Sequence, residues 1–166
     1  MSHYFENDQN LKSQLKKTNC SIFNKQFTFY TDNGVFAKKG VDYGSKLLLE
    51  SIKDEGYSSI LDVGCGYGTL GIILNKKYNS STTMVDVNKR ALHLTKKNIM
   101  ENKCDNVEVF ESDAYQNVDK KYDLIVTNPP IHAGKKKVYE ILIDAKKYLN
   151  DNGKLYFVIH KDQGAK

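Results

Sequence analysis

An apolar segment that runs directly into three closely spaced glycines constrains this chain more than any other feature. Residues 60–63 read Ile-Leu-Asp-Val, and Gly64, Gly66 and Gly68 follow at once. The apolar segment favours a buried strand, and the glycines let the backbone turn sharply and approach a ligand at a helix start. The pattern therefore predicts a strand, a tight loop and a helix, with a ligand site at the loop.

Strand and helix patterns alternate along the chain beyond this loop. Strands are predicted at residues 59–63, 82–87, 107–110, 122–127 and 154–160, and helices at residues 41–53, 69–76, 89–102 and 136–148. Such alternation predicts an α/β fold with a doubly wound, mostly parallel sheet of the Rossmann-like type. Residues 155–159 are apolar enough to predict a strand that is buried on both faces.

The N-terminal part gives weaker patterns. Residues 1–23 are polar with little periodicity, so they predict a mobile or loosely helical lead. Residues 27–31 and 35–36 predict the two strands of a β-hairpin, because Asn33 and Gly34 between them accept the positive φ of a tight turn. We therefore predict a polar lead at residues 1–23 and one domain at residues 24–166.

Composition narrows the setting of the protein. The 166 residues suit one domain, and no segment approaches the roughly 20 apolar residues that span a bilayer. The N-terminus is polar where a signal peptide is apolar, so we predict a cytoplasmic protein without a membrane partner. The net charge of +5 suits a polyanionic partner such as RNA, and a lysine-rich surface equally serves solubility.

The cysteines predict reduced thiols rather than a disulfide or a metal site. Cys20, Cys65 and Cys104 are odd in number and far apart, and no Cys or His lies near them at metal-ligand spacing. Cys65 lies inside the glycine loop, where a nucleophile is one interpretation. Close packing by a small residue is the favoured interpretation.

Acidic residues stand at three successive strand ends. Asp62 ends the first core strand, Asp86 ends the next, and Asp113 follows the third. The carboxyl ends of parallel strands meet at one edge of a sheet, so these side chains are predicted to face one crevice. Asp86 suits two ribose hydroxyls and Asp113 suits an adenine amino group. Each alone also fits a helix cap or a turn, but together they predict an adenosyl site.

Asn128, Pro129 and Pro130 follow the fourth core strand. Methylation of an exocyclic amino group requires its nitrogen lone pair to leave conjugation with the ring. The Asn128 amide oxygen and the Pro129 carbonyl can accept the two amino hydrogens, and the prolines fix that carbonyl. An activated sulfonium donor then needs neither a general base nor a metal. A loop that merely contains two prolines is the alternative.

These residues resemble the class I S-adenosylmethionine-dependent methyltransferases. NAD enzymes prefer Gly-x-Gly-x-x-Gly, whereas the third glycine here comes one position earlier. The resemblance implies S-adenosylmethionine as cofactor. The implied cofactor-binding residues are Asp62, Gly64, Cys65, Gly66, Gly68, Asp86, Val87, Asp113, Ala114 and Asn128, and the implied catalytic residues are Asn128, Pro129 and Pro130.

Longer matches narrow the resemblance. Residues 34–44 and 128–135 look like small methyltransferase-domain proteins related to bacterial 16S ribosomal RNA guanine-N2 methyltransferases, and the similarity runs from about Phe23 to Lys166. In those relatives an aliphatic residue or Phe after the prolines accompanies guanine, so Ile131 favours guanine. An adenosyl-binding module without turnover and a protein or small-molecule amide methyltransferase remain alternatives.

The same resemblance implies substrate contacts at Phe36, Ile131, His132 and Lys135. For Phe36, core packing at the hairpin is favoured over a contact with the cofactor or a flipped base, and His132 equally suits a neutral loop histidine without a ligand. Lys135 at a helix start opposes the helix dipole, which indicates a phosphate contact.

Relatives continue into a further helix and an antiparallel strand pair, so we expect a methyltransferase sheet without that pair. Residues 154–160 would then form an apolar edge that favours pairing with another chain.

Overall fold

The computed structural model describes residues 15–32, 41–129 and 133–159. Two strands, β1 (Lys16–Ile22) and β2 (Lys25–Thr31), form an antiparallel hairpin ahead of the main body. The main body consists of α1 (Tyr43–Ser51), β3 (Ser59–Val63), α2 (Thr69–Tyr78), β4 (Ser81–Asp86), α3 (Lys89–Glu101), β5 (Val107–Glu111), β6 (Tyr122–Thr127), α4 (Gly134–Asp144), a 3-10 turn (Ala145–Tyr148) and β7 (Leu149–Phe157).

The main sheet has the order β5-β4-β3-β6-β7, and all four pairings between its strands are parallel. The chain first builds outward from β3 through β4 to β5 and then crosses to the other side of β3 with β6. This reversal creates a crevice at the carboxyl ends of β3 and β6, where open α/β sheets bind ligands. The predicted doubly wound, mostly parallel sheet is confirmed.

Strand β7 differs from its prediction. It begins at Leu149 rather than at residue 154, and a bulge separates the pairs Tyr122–Leu149 and Leu124–Lys154. The prediction that this strand is buried on both faces is wrong, since Phe157 is 43% exposed and Leu155 is only partly buried. Among the described strands β7 lies at one edge of the sheet, which explains its exposure.

Apolar side chains fill both faces of the central strands. Ile60 of β3 packs in a cluster with the first three helices and the hairpin, whereas Leu61 faces a second cluster that includes Ile141 of α4. Helix α2 lies so close to the sheet that a Cβ on Gly71 would overlap the Met84 side chain. This close packing brings the start of α2 over the carboxyl ends of the strands.

The described hairpin includes a strand, β1, that the sequence does not predict. Its turn lies at Phe23 and Asn24, with φ angles of 55° and 60°, and β1 occupies residues that the sequence assigns to a mobile or loosely helical lead. Strand β2 lies where it is predicted. The predicted turn at Asn33 and Gly34 and the return strand at residues 35–36 lie outside the described residues.

Asn98 of α3 and Asn102, the C-cap of α3, attach the hairpin to the main body. The Asn98 amide accepts from Tyr30 N at 2.7 Å and donates to Tyr30 O, and the Asn102 amide does the same with Thr28, accepting at 2.9 Å. One helical turn rises about as far as two residues of a strand, so this spacing matches. We call Asn98 and Asn102 the amide clamp.

Within the described ranges, no helix is long and apolar enough to cross a membrane.

Candidate active site

The loop between β3 and α2 has the conformation that its glycines predict. Gly64, Gly66 and Gly68 have φ angles of 70°, 59° and 101°, which residues with a Cβ rarely adopt. The amide groups of Gly64 and Cys65 both donate to the Val85 carbonyl at 2.9 Å. The loop is therefore held against the end of β4 through backbone hydrogen bonds.

Helix α3 supports the same loop from the side. Thr95 Oγ1 donates to Gly66 O at 2.7 Å, and Asn98 Nδ2 donates to Tyr67 O at 2.8 Å. Both side chains are fully buried. Sequence reasoning missed these residues. Thr95 and Asn98 are polar residues three positions apart on the otherwise apolar face of α3, and this pattern could have identified them.

Asp86 lies at the rim of the loop. Its Oδ2 accepts from Gly66 N at 2.8 Å and its Oδ1 accepts from Asn88 N at 2.9 Å. Asn88 caps α3 by accepting from Arg90 N and Ala91 N, so the interpretation of Asp86 as the helix cap is wrong. Burial raises the pKa of Asp86, and the backbone donors oppose that shift.

Asp62 lies beneath the loop and is only 1% exposed. Its Oδ2 accepts from Gly71 N at 3.0 Å, whereas the buried Oδ1 makes no hydrogen bond with any residue that the structure describes. Burial, with the charge of Asp86 adding to it, raises the pKa of Asp62 to about 7. A cationic donor that reached Oδ1 would supply the missing hydrogen bond and offset the repulsion between the two carboxylates.

Asp113 lies farther out, on the exposed rim. The end of β5 is joined to that of β4 by Ser112 N, which donates to Asp86 O at 3.0 Å. The Asp113 side chain is 54% exposed, and its Oδ1 lies 2.8 Å from Lys137 Nζ. Asp62 and Asp86 thus lie together at the glycine loop, while Asp113 lies at the edge of the crevice beside α4.

The remaining predicted cofactor residues lie around the loop. Cys65 is 7% exposed, with its Sγ 3.8 Å from Thr95 Oγ1. Burial, with the charges of Asp62 and Asp86, raises the pKa of the Cys65 thiol well above its ordinary value, which supports the packing interpretation over a nucleophile. Val87 is 57% exposed beside Asp86. Ala114 follows Asp113 with a φ of 53°.

A metal centre has no candidate among residues 15–32, 41–129 and 133–159. Searched over these ranges, the His, Cys, Asp and Glu side chains form no group of three or more that could hold a metal ion.

Asn128 follows β6 directly, on the opposite side of β3 from Asp86. Thr127 pairs with Val63 and its Oγ1 donates to Val63 O at 2.8 Å, which places Asn128 beside the start of the glycine loop. Asn128 Nδ2 donates to Ser45 Oγ at 3.0 Å and lies 3.4 Å from Asp42 Oδ1. These contacts join the end of β6 to the first turn of α1.

Sequence reasoning missed Asp42 and Ser45 as parts of the site. They lie more than 80 positions before Asn128, and Asp42 before a helical pattern indicates only an N-cap. Pro129 is buried after Asn128. The other predicted residues of this segment, Pro130, Ile131 and His132, and also Phe36, lie outside the described residues. Lys135 is exposed in the first turn of α4, where the helix has no acidic residue.

Comparison with known sequences places this arrangement in a family. The family model for the methyltransferase small domain matches residues 26–166. The uncharacterized protein YbxB of Bacillus subtilis is 43% identical over 98% of this chain and 83% of its own length. Ribosomal RNA small subunit methyltransferase C of Haemophilus influenzae is 36% identical over 81% of this chain. The chain spans 42% of the length of that enzyme.

Solved structures confirm the fold. The Thermus thermophilus 16S rRNA N2 G1207 methyltransferase, RsmC, in complex with AdoMet and guanosine, has a TM-score of 0.80 and 24% identity, covering 91% of this chain and 43% of that chain. The ribosomal protein L11 methylase of Lactobacillus delbrueckii has a TM-score of 0.63 and 22% identity, covering 74% and 61%. The predicted lack of a C-terminal strand pair stays a prediction.

Proposed function

Because the chain belongs to the methyltransferase small domain family, whose members depend on S-adenosylmethionine, we propose that it methylates an exocyclic amino group of a base in RNA. Guanine N2 of small-subunit ribosomal RNA is the proposed substrate. The observation that carries the proposal is the side-chain amide of Asn128, held at the end of β6 next to the glycine loop.

The contacts of Asn128 suit it to accept a hydrogen bond from an amino group. Its amide nitrogen is directed towards Ser45 and Asp42, so the planar amide turns its oxygen to the other side. An oxygen with that orientation can accept one hydrogen of a base amino group, and the Pro129 carbonyl is the proposed acceptor for the other. Both contacts strengthen as the amino nitrogen becomes tetrahedral, which lowers the barrier.

The other side of the crevice suits the cofactor. S-adenosylmethionine, when bound, supplies an electrophilic methyl group. Each carboxylate oxygen of Asp86 accepts one backbone hydrogen bond and keeps lone-pair capacity for ribose hydroxyls. The buried Oδ1 of Asp62 fits the cofactor's ammonium group. We assign Asp113 and Ala114 to the adenine side on the basis of their place at the rim.

The net charge of +5 and the similarity to two ribosomal RNA methyltransferases support an RNA substrate. We retain Phe36, Ile131, His132 and Lys135 as proposed RNA contacts. Ribosomal RNA lies in the cytoplasm, and we place the protein there.

Transfer of tritium from labelled S-adenosylmethionine into small-subunit ribosomal RNA tests the proposal. We expect N2-methylguanosine in the digested RNA. We expect Asn128→Ala to lower the rate about 100-fold, the typical effect of losing one hydrogen bond that stabilises the transition state. Asn150→Ala is the matched control, because Asn150 contacts Asp123 at the opposite end of β6.

Three results would contradict the proposal. Label in protein or in a small molecule would indicate an amide methyltransferase. Cofactor binding without any transfer would indicate a binding module. An equal loss in Asn128→Ala and Asn150→Ala would remove the catalytic role of Asn128.

A further inference from the structure

The first turn of α1 surrounds the amide nitrogen of Asn128. Asn128 Nδ2 carries two hydrogens, and two acceptors face it, Ser45 Oγ at 3.0 Å and Asp42 Oδ1 at 3.4 Å. Ser45 is 4% exposed, so water competes little for its contact. Two acceptors on one side define which way the amide is turned.

Gly44, in the first turn of α1, lies close to both Asn128 and Val158. A Cβ on Gly44 would stand 3.5 Å from Asn128 Nδ2 and 3.3 Å from Val158 Cγ1. Val158 itself is tied to the end of β6, because its amide donates to Thr127 O at 3.2 Å. The first turn of α1 therefore lies close both to the partly buried Asn128 side chain and to the segment that follows β7.

Asp42 joins this contact to the start of the helix. Its Oδ1 accepts from Ser45 N at 2.8 Å, which makes Asp42 the N-cap of α1. Asp42 therefore both caps α1 and contacts Asn128. The position of the amide depends on the position of the helix.

We propose that Ser45 and Asp42 are positioning residues for methyl transfer, which hold the Asn128 amide with its oxygen towards the acceptor amine. This inference rests on the proposed function. A reversed amide would present its two hydrogens to the hydrogens of the amine, so it would give repulsion where the reaction needs an acceptor. Loss of the positioning contacts should therefore lower turnover and leave cofactor affinity nearly unchanged.

Ser45→Ala tests the inference with Ser51→Ala as the matched control. Ser51 lies on the same helix, where its hydroxyl donates to Leu47 O and Leu48 O rather than to Asn128. Alanine favours a helix, so both variants should fold. We expect kcat with labelled S-adenosylmethionine and ribosomal RNA to fall about 3- to 10-fold in Ser45→Ala, the cost of one hydrogen bond. We expect KM for both substrates to change less than about twofold.

Unchanged kcat in Ser45→Ala would overturn the inference. A loss of S-adenosylmethionine affinity as large as the loss of kcat would also overturn it, because a general disturbance of the crevice would then explain both. An equal fall of kcat in Ser51→Ala would also overturn the inference, because a general disturbance of α1 would then explain the fall in Ser45→Ala.

A second measurement separates this inference from the proposed function. The side-chain amide signals of Asn128 can be assigned in nitrogen-15 NMR spectra by their loss in Asn128→Ala. We expect them to shift and to exchange with water about 3- to 10-fold faster in Ser45→Ala, but not in Ser51→Ala. If the wild-type chain transfers no label to RNA, the proposed function fails, and unchanged amide signals in Ser45→Ala would then overturn the positioning contact itself.

Discussion

The two halves of the crevice are held by different kinds of interaction. On the cofactor side, backbone amides of the glycine loop bond to Val85 and Asp86, and the carboxylates below are buried. On the acceptor side, Asn128 is held by the side chains of Ser45 and Asp42. Substitutions on the cofactor side should therefore cost stability together with binding, whereas substitutions on the acceptor side should cost turnover in a folded protein.

Asn98→Ala should have the largest effect, because the Asn98 side chain supports both the cofactor loop and the hairpin. It bonds to Tyr67 O, Tyr30 N and Tyr30 O, and its removal leaves one buried and two partly buried backbone groups without these contacts. We expect the free energy of unfolding in urea to fall by about 3 kcal/mol. Asn102 contacts the hairpin but not the glycine loop, so Asn102→Ala should lower the free energy of unfolding by less. A larger loss in Asn102→Ala would remove the special role of Asn98.

Asp86→Ala should weaken cofactor binding. It removes the acceptor of Gly66 N, which shapes the loop, together with the proposed ribose contact. We expect the S-adenosylmethionine affinity measured by calorimetry to fall about 100-fold, or about 2.7 kcal/mol. Asp113→Ala should lower it less, because the Asp113 side chain is 54% exposed. A larger loss of affinity in Asp113→Ala than in Asp86→Ala would contradict the proposal that Asp86, at the end of β4, makes the main cofactor contact.

The buried Asp62 should make stability depend on pH. Its pKa of about 7 in the folded protein exceeds its ordinary value of 3.8, so the folded state binds more protons between these values. The free energy of unfolding should therefore fall as pH rises from about 4 to about 7, and this contribution should level off above. In Asp62→Asn the difference between pH 5 and pH 8 should shrink by at least about 1 kcal/mol. Asp86 shifts in the same direction, so a smaller dependence should remain.

Urea unfolding of the wild type and of Asp62→Asn at both pH values checks this prediction. Identical pH dependence in the two proteins would assign the effect to other groups.

Lys137→Ala should have the smallest effect. Lys137 pairs with Asp113 at 2.8 Å and with Glu140 at 3.5 Å, but the two carboxylate side chains are 54% and 46% exposed and that of Lys137 is 33% exposed. We expect the free energy of unfolding to change by less than about 0.5 kcal/mol. Cofactor affinity should rise slightly, because Asp113 would lose a competing partner. Lys147→Ala, which removes a pair with Asp144, is the control, and a loss of affinity in Lys137→Ala would show that Lys137 itself contacts the ligand.

The parts that the sequence predicts correctly are those whose signals are local. The glycine loop, the strand before it and the helix after it depend on neighbouring residues, so they can be recognised within ten positions. The hairpin shows the limit of this reasoning. The structure turns at Phe23 and Asn24, and the Phe with positive φ is not a turn residue that sequence patterns indicate. The turn predicted at Asn33 and Gly34 lies outside the described residues and stays a prediction.

The contacts that complete the site are not local. Ser45 and Asp42 meet Asn128 because the first turn of α1 lies at the carboxyl end of β6. Asn98 meets the glycine loop because α3 lies beside that loop. Such packing depends on the whole arrangement of helices and sheet. A hydrophobic pattern indicates that a helix packs against the sheet, but not which of its polar residues face a loop.

The amide clamp also has a consequence for the order in which the chain folds. Tyr30 and Thr28 precede their partners by 68 and 74 residues. A ribosome adds about 5 to 20 residues per second, so β2 is made roughly 4 to 15 s before Asn102 emerges. A two-stranded hairpin is marginally stable by itself. The hairpin is therefore completed only after α3 has been made, and a substitution at Asn98 or Asn102 should affect a segment that was synthesised about 70 residues earlier.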